Sequence, residues 1–200
     1  MKKVSLLLGT LLFLGSIAFG QALTQADREK GEKYLEKTRD GVVDATEGLS
    51  EAQLKFKPAP DRWSVAETLE HIALAEDFLM QNITNKVMKA PAGPANRDVA
   101  KTDAAVLAMI PDRSHKAQAP PQLVPTGRWT PAETLDHFQK SRAKTIAFLQ
   151  STPDLRGHAV DSPIGQQLDA YEWLLFIAAH SERHTKQIAE VKSDPNFPKN

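Results

Sequence analysis

The sequence predicts an all-α fold, a four-helix bundle with one long crossover between its second and third helices. Three observations lead there. Four stretches repeat apolar residues at spacings of three and four, the pattern of a helix with one buried face. No segment alternates apolar and polar residues over a useful length, so no sheet is expected. The segment from Ala90 to Arg128 is cut by Pro91, Pro94, Pro111, Pro120, Pro121 and Pro125. It is too long to be a tight turn between antiparallel neighbours, so it crosses the length of the bundle.

The chain begins with a segment set apart from that bundle. Lys2 and Lys3 precede an apolar run from Val4 to Phe19, with the small residues Ala18 and Gly20 at its end, the layout of a secretory signal peptide. The run is shorter than the roughly 20 residues of a spanning helix. Residues 1–22 are therefore expected to be cleaved, after Gly20 or Ala22, leaving a domain of residues 23–200 with no stable membrane anchor. A periplasmic or secreted address follows.

Within the domain, Leu35, Thr38, Val42, Ala45 and Leu49 predict a first helix from about Thr24 to Gly48. Gly31, Gly41 and Gly48 lower its propensity, so packing must hold it. A breaker from Lys57 to Asp61 and a capping box from Ser64 to Glu67 start the second helix. Its seam of Val65, Leu69, Ile72, Leu79, Ile83 and Val87 runs to about Lys89. One or two helical turns are expected in the crossover between Asp98 and Met109. Thr130, Pro131 and Glu133 cap a third helix that carries Leu135, Phe138, Arg142, Thr145 and Leu149 to about Gln150. After a polar loop from Ser151 to Gly165, the fourth helix runs from Leu168 to Val191.

At 200 residues, 41% hydrophobic and 25% charged, the chain suits one globular domain with an ordinary core. Removing the two leader lysines from 25 basic residues against 25 acidic ones leaves a charge of about −2. No basic patch emerges, so nucleic acid is not an expected partner. With no cysteine, an exported fold must rely on its core alone, and thiol nucleophiles and lipidated cysteines are excluded. The oligomeric state stays open, a homodimer included.

Chemistry enters on the fourth helix. Trp173, Ile177, His180, His184 and Val191 share one stripe, so two imidazoles occupy core slots one turn apart. They can aim nitrogens at a common point, as two ligands of a divalent ion do. A third ligand must come from elsewhere. Two decapeptides, Arg62 to His71 (RWSVAETLEH) and Arg128 to His137 (RWTPAETLDH), match at seven of ten positions and each begins a helix. Shared capping chemistry and duplication both account for the echo. His71 is flanked by Glu67, Thr68, Leu74 and Ala75, the edge of a buried surface; His137 is flanked by Glu133, Thr134, Lys140 and Ser141, a wet face. His71 is therefore the expected third ligand. A lone buried histidine is ordinarily a hydrogen-bonded core residue, but three unpaired ones would be costly, and a shared ion removes the cost.

The remaining polar residues have plainer readings. His115 and His158 lie in polar connections and are expected to be exposed. In HSERH, Glu182 sits about 200° around the helix from His180, unlike the glutamate of the zincin motif. Glu67, one turn before His71, is a weak candidate for a supporting or acid/base role, since capping already explains it. Arg142 could meet an anionic substrate but is expected to snorkel to the rim.

KPAPDRWSVAETLEHIALAE (Lys57 to Glu76) and HSERHTKQI (His180 to Ile188) resemble the DinB-like superfamily, which also takes in the YfiT-like proteins. The resemblance covers the domain in helix order and crossover. It implies a four-helix bundle holding a divalent metal, typically zinc or nickel, on His71, His180 and His184; the imidazoles would also suit iron, and manganese is kept as an option. Related families include thiol-dependent transferases and maleylpyruvate isomerases. The export signal departs from their pattern and counts against a thiol substrate. Three protein nitrogens leave a coordination position open, so a metal-dependent hydrolase or transferase acting on a small molecule is the first expectation. A non-catalytic metal-binding or structural bundle is the rival. A haem bundle is a third option, with Met80 and Met88 on the second helix, but no CxxCH motif exists.

Overall fold

Residues 22–114 and 116–199 are described in a computed structural model; the leader through Gln21, for which a signal peptide is expected, and His115 lie outside the described residues. The first helix, α1, spans Gln25–Thr46 and is capped by Thr24, whose hydroxyl accepts the Asp27 N–H. A short helix, α2 (Glu51–Lys55), leads to α3 (Val65–Asn85), and a single 3-10 turn, Val87–Lys89, extends it. The crossover contains α4 (Val99–Met109) and a 3-10 turn at Pro121–Leu123. Helix α5 spans Pro131–Ser151, and α6 spans Ala170–Lys192.

The four long helices are those the sequence predicts, and α4 is longer than the one or two turns expected. Two boundaries differ for a physical reason. Between α5 and α6 the chain forms a hairpin, β1 (Ala159–Asp161) antiparallel to β2 (Gln167–Asp169), with Val160 opposite Leu168. Three residues per strand are too few for a period-two signal. Leu168 belongs to this hairpin, and α6 starts only after Asp169, whose carboxylate caps the Glu172 N–H while Glu172 accepts from the Asp169 N–H. Arg97 and Arg156 both donate to the buried Asp169, and Arg156 also grips Asp103 of α4, so crossover and hairpin together anchor the start of α6.

Helix α1 packs chiefly on α6 and α5, and α3 on the same two. Thus α1 and α3 face each other across the bundle, as do α5 and α6, while α4 lies against α6. Gly31 explains itself here: a Cβ would meet Tyr171 of α6 at 2.8 Å, so the weak helix former is what lets α1 approach. Leu35, Ile83, Leu149, Leu174 and Ile177 are fully buried, each contributing about 1.5–3 kcal/mol. Met80 and Met88, considered above as haem ligands, pack against this core. Among the described residues no helix is long and apolar enough to cross a membrane.

Arg142 does not snorkel to the rim; it is fully buried. Its guanidinium forms a two-point pair with Glu76 of α3 (2.9 and 2.7 Å) and donates to the Leu35 carbonyl and Thr38 of α1 and to Ser181 of α6, each at 2.8 Å. All five N–H donors of an arginine are thereby used. Burial of the charge is sustainable because the carboxylate and these acceptors come from each of the other three long helices of the bundle.

Candidate metal centre

The Ser64–Glu67 capping box sets where α3 begins, and so brings His71 to the face that meets α6 two turns later. On α6, His180 and His184 stand one turn apart on the opposing face. The three rings converge. Nε2 of His180 lies 3.2 Å from Nε2 of His71 and 3.1 Å from Nε2 of His184, and one nitrogen from each residue lies within 4.8 Å of the others. Nitrogens bonded to one tetrahedral ion at about 2.0–2.1 Å sit about 3.3 Å apart. His71 and His184 are buried, and His180 keeps part of its surface accessible. Trp63 packs on His71 with ring centroids 4.8 Å apart, and Phe176 lies nearly parallel to His180 at 6.5 Å.

The outward nitrogens decide the proton positions. His71 Nδ1 is 2.8 Å from the Leu123 carbonyl, which can only accept, so the proton is on Nδ1 and Nε2 carries a lone pair. His184 Nδ1 is 2.9 Å from Gln187 Oε1. Arg113 donates to that same oxygen, which fixes it as the acceptor end of the amide, so His184 also presents a lone pair inward. Two lone pairs therefore aim at His180 Nε2, whose single proton can satisfy only one of them. A cation at the centre would satisfy all three nitrogens.

Protonation offers no alternative. Burial pushes His71 below the usual histidine range. Burial, and then the neighbouring His184 and His71, push His180 well below it. Burial, then His71, push His184 down to about 3. All three are neutral near pH 7, the form that ligates metal. Among the described residues no carboxylate or cysteine joins this cluster.

The other candidates are placed elsewhere. Glu67 accepts the Ser64 N–H and pairs with Lys57 at 2.7 Å, so it is a cap and a surface pair. Arg142 belongs to the bundle centre, as described. Glu182 turns from the site, held by Tyr34 at 2.8 Å and Lys186 at 2.8 Å. His137 pairs with Asp77 at 2.6 Å on the α3–α5 surface. His158 is half-buried rather than exposed, because its backbone bridges to Ala92. Sequence reasoning missed Gln187, Leu123 and Arg113. Gln187 was accessible in principle, three residues after His184 and so on its face; a backbone carbonyl delivered from a crossover carries no side-chain signal.

Comparison with known proteins agrees with this architecture. The model of the DinB superfamily matches residues 34–188. The uncharacterized protein YuaE of Bacillus subtilis (strain 168) is 27% identical over 149 residues, covering 72% of this chain and 86% of that protein. Among solved structures, YfiT from Bacillus subtilis superposes with a TM-score of 0.56 at 16% identity, over 92% of this chain and 97% of that one. YfiT is described as "a probable metal-dependent hydrolase with an unusual four-helix bundle topology". At that identity the likeness establishes the fold alone.

Proposed function

The chain belongs to the DinB superfamily, and on that premise we propose that it binds a divalent metal on His71, His180 and His184 and uses it to hydrolyse or transfer a group on a small molecule. The observation that carries the reading is the convergence of the Nε2 atoms with the flanking Nδ1 protons of His71 and His184 turned outward onto Leu123 and Gln187. A divalent ion held there would supply Lewis acidity, activating water or polarising a substrate oxygen. Zinc and nickel suit an all-imidazole donor set.

The chain's own residues do the rest. Three protein nitrogens leave at least one coordination position for water or substrate. His180, the ligand with accessible surface, marks the side from which a small molecule reaches it. Trp63 and Phe176 wall two of the rings and restrict their rotation. Elemental analysis of protein purified without a metal-affinity tag, with turnover measured on a panel of esters, amides and thiols, tests the reading. It requires stoichiometric metal and turnover of at least one class.

One observation favours a second reading, a non-catalytic metal-binding bundle: among the described residues no carboxylate joins the imidazole cluster to move a proton. Stoichiometric metal without turnover on any class would select it. We also propose that the mature protein starts near Gln21 or Leu23 and works in the periplasm or outside the cell, from the basic, apolar and small-residue order of the leader. N-terminal sequencing of the exported protein checks this; an intact Met1 would refute it.

A further inference from the structure

Resting on the metal reading above, we propose that Arg113, a crossover residue, is a positioning residue for the site, acting on His184 through Gln187. Gln187 Oε1 accepts two hydrogen bonds, from His184 Nδ1 at 2.9 Å and from Arg113 Nη1 at 3.2 Å. Arg113 is itself held in place. Its Nε and Nη2 form a two-point pair with Glu190, at 2.6 and 2.7 Å, and Glu190 lies one turn after Gln187 on α6. With the fork engaged, Nη1 is the donor left to meet the amide oxygen.

The consequence lies in the proton on His184. A glutamine amide has an accepting end and a donating end, and a half-turn exchanges them. Were the NH2 end to face His184, Nδ1 would have to accept, and the imidazole proton would move to Nε2, where a metal needs the lone pair. Arg113 excludes that state, because an arginine N–H cannot donate to an NH2 group. His71 needs no such guard: its partner is the Leu123 carbonyl, which has no donating form. Both orienting groups reach the site from the crossover, Leu123 directly and Arg113 through Gln187. The crossover therefore sets metal affinity as well as connecting α3 to α5.

The test uses tautomer assignment by nitrogen NMR of the metal-free full-length domain near neutral pH, with zinc affinity measured by chelator competition. Wild type should hold His184 with its proton on Nδ1. Arg113→Met should mix the two tautomers and weaken zinc by about 10–100-fold. Gln187→Glu has no donating end, so it should keep the Nδ1 tautomer, and adding Arg113→Met to it should change neither the tautomer nor the affinity. Two results overturn the proposal: an unchanged His184 tautomer in Arg113→Met, or an equal loss of zinc affinity in the glutamine and Gln187→Glu backgrounds, which would make Arg113 a general brace. Failure of wild type to bind zinc, nickel or ferrous iron would instead overturn the metal reading, while the tautomer of the metal-free protein would still decide the role of Arg113.

Discussion

The two decapeptides, Arg62 to His71 and Arg128 to His137, fold alike and are used differently. Each opens a helix with a reciprocal capping box, Ser64 with Glu67 and Thr130 with Glu133. In each, the next threonine returns a 2.8 Å hydrogen bond to the cap carbonyl. Each tryptophan packs on the histidine that ends its motif, at 4.8 Å for Trp63 and His71 and 4.5 Å for Trp129 and His137. Beyond that turn they part. His71 is 3% exposed and faces α6, where it meets two more imidazoles. The His137 side chain is 36% exposed and faces α3, where it meets Asp77. Glu70, before His71, is buried and accepts backbone N–H groups of Thr126 and Gly127, the latter in the left-handed region at φ +69°. Asp136, before His137, forms an exposed pair with Lys140. Local sequence decides the cap and the ring packing; the helix opposite decides what the histidine can do.

The largest expected effect separates the two histidines directly. His71→Ala should weaken zinc binding by well over the roughly 10–100-fold that losing a mere supporting partner costs, while leaving the domain helical by circular dichroism. His71→Ala with undiminished zinc affinity in a chelator competition would erase the distinction drawn here. Five residues beyond each histidine lie Glu76 and Arg142, the pair that joins the two motif helices. Arg142→Ala strands a buried carboxylate, so it should cost about 3–5 kcal/mol in denaturant unfolding. Replacing both by apolar residues of similar size should restore most of that.

Acid should act on one motif's histidine far more than a surface pair would. In the metal-free protein, His71, His180 and His184 are held neutral by burial, below their ordinary value of 6.5. Between that value and the depressed folded-state value, about 3 for His184, the unfolded chain binds more protons than the folded one. Stability is therefore full above pH 6.5 and falls as the pH drops below it, by up to about 1.4 kcal/mol per pH unit for each imidazole. Urea melts at a series of pH values check the slope, and a metal-free protein that grew more stable toward acid would contradict the burial argument. The smallest effect is expected at His137. Its partly exposed surface pair with Asp77 should be worth only about 0.2–1 kcal/mol, and His137→Ala should retain full metal content by elemental analysis.

How much of this was legible in the sequence follows from the range of each interaction. His180 and His184 declare themselves because a spacing of four on an apolar stripe is a local fact, and His71 is separable from His137 because Leu74 and Ala75 share its face where Lys140 and Ser141 share the other. The long helices carry their own caps. Arg142 misled because its burial depends on Glu76, Thr38 and Ser181 from other helices, none near it in sequence. The hairpin was too short to show a period, and its Leu168 looked like the start of α6. Leu123 and Arg113 were out of reach, since a crossover's path over a site is set by tertiary packing.

The central claim is that the three imidazoles form a metal site on a bundle that folds without the metal. Thermal unfolding of metal-free wild-type protein near neutral pH, with and without zinc, nickel or ferrous iron, tests it most directly. The expected result is a helical metal-free protein with a cooperative melt, stabilised by about 2.7 kcal/mol when a binding ion is supplied at 100 times its dissociation constant. A melt that none of these ions shifts would contradict the claim and leave three converging imidazoles with one proton too few among them.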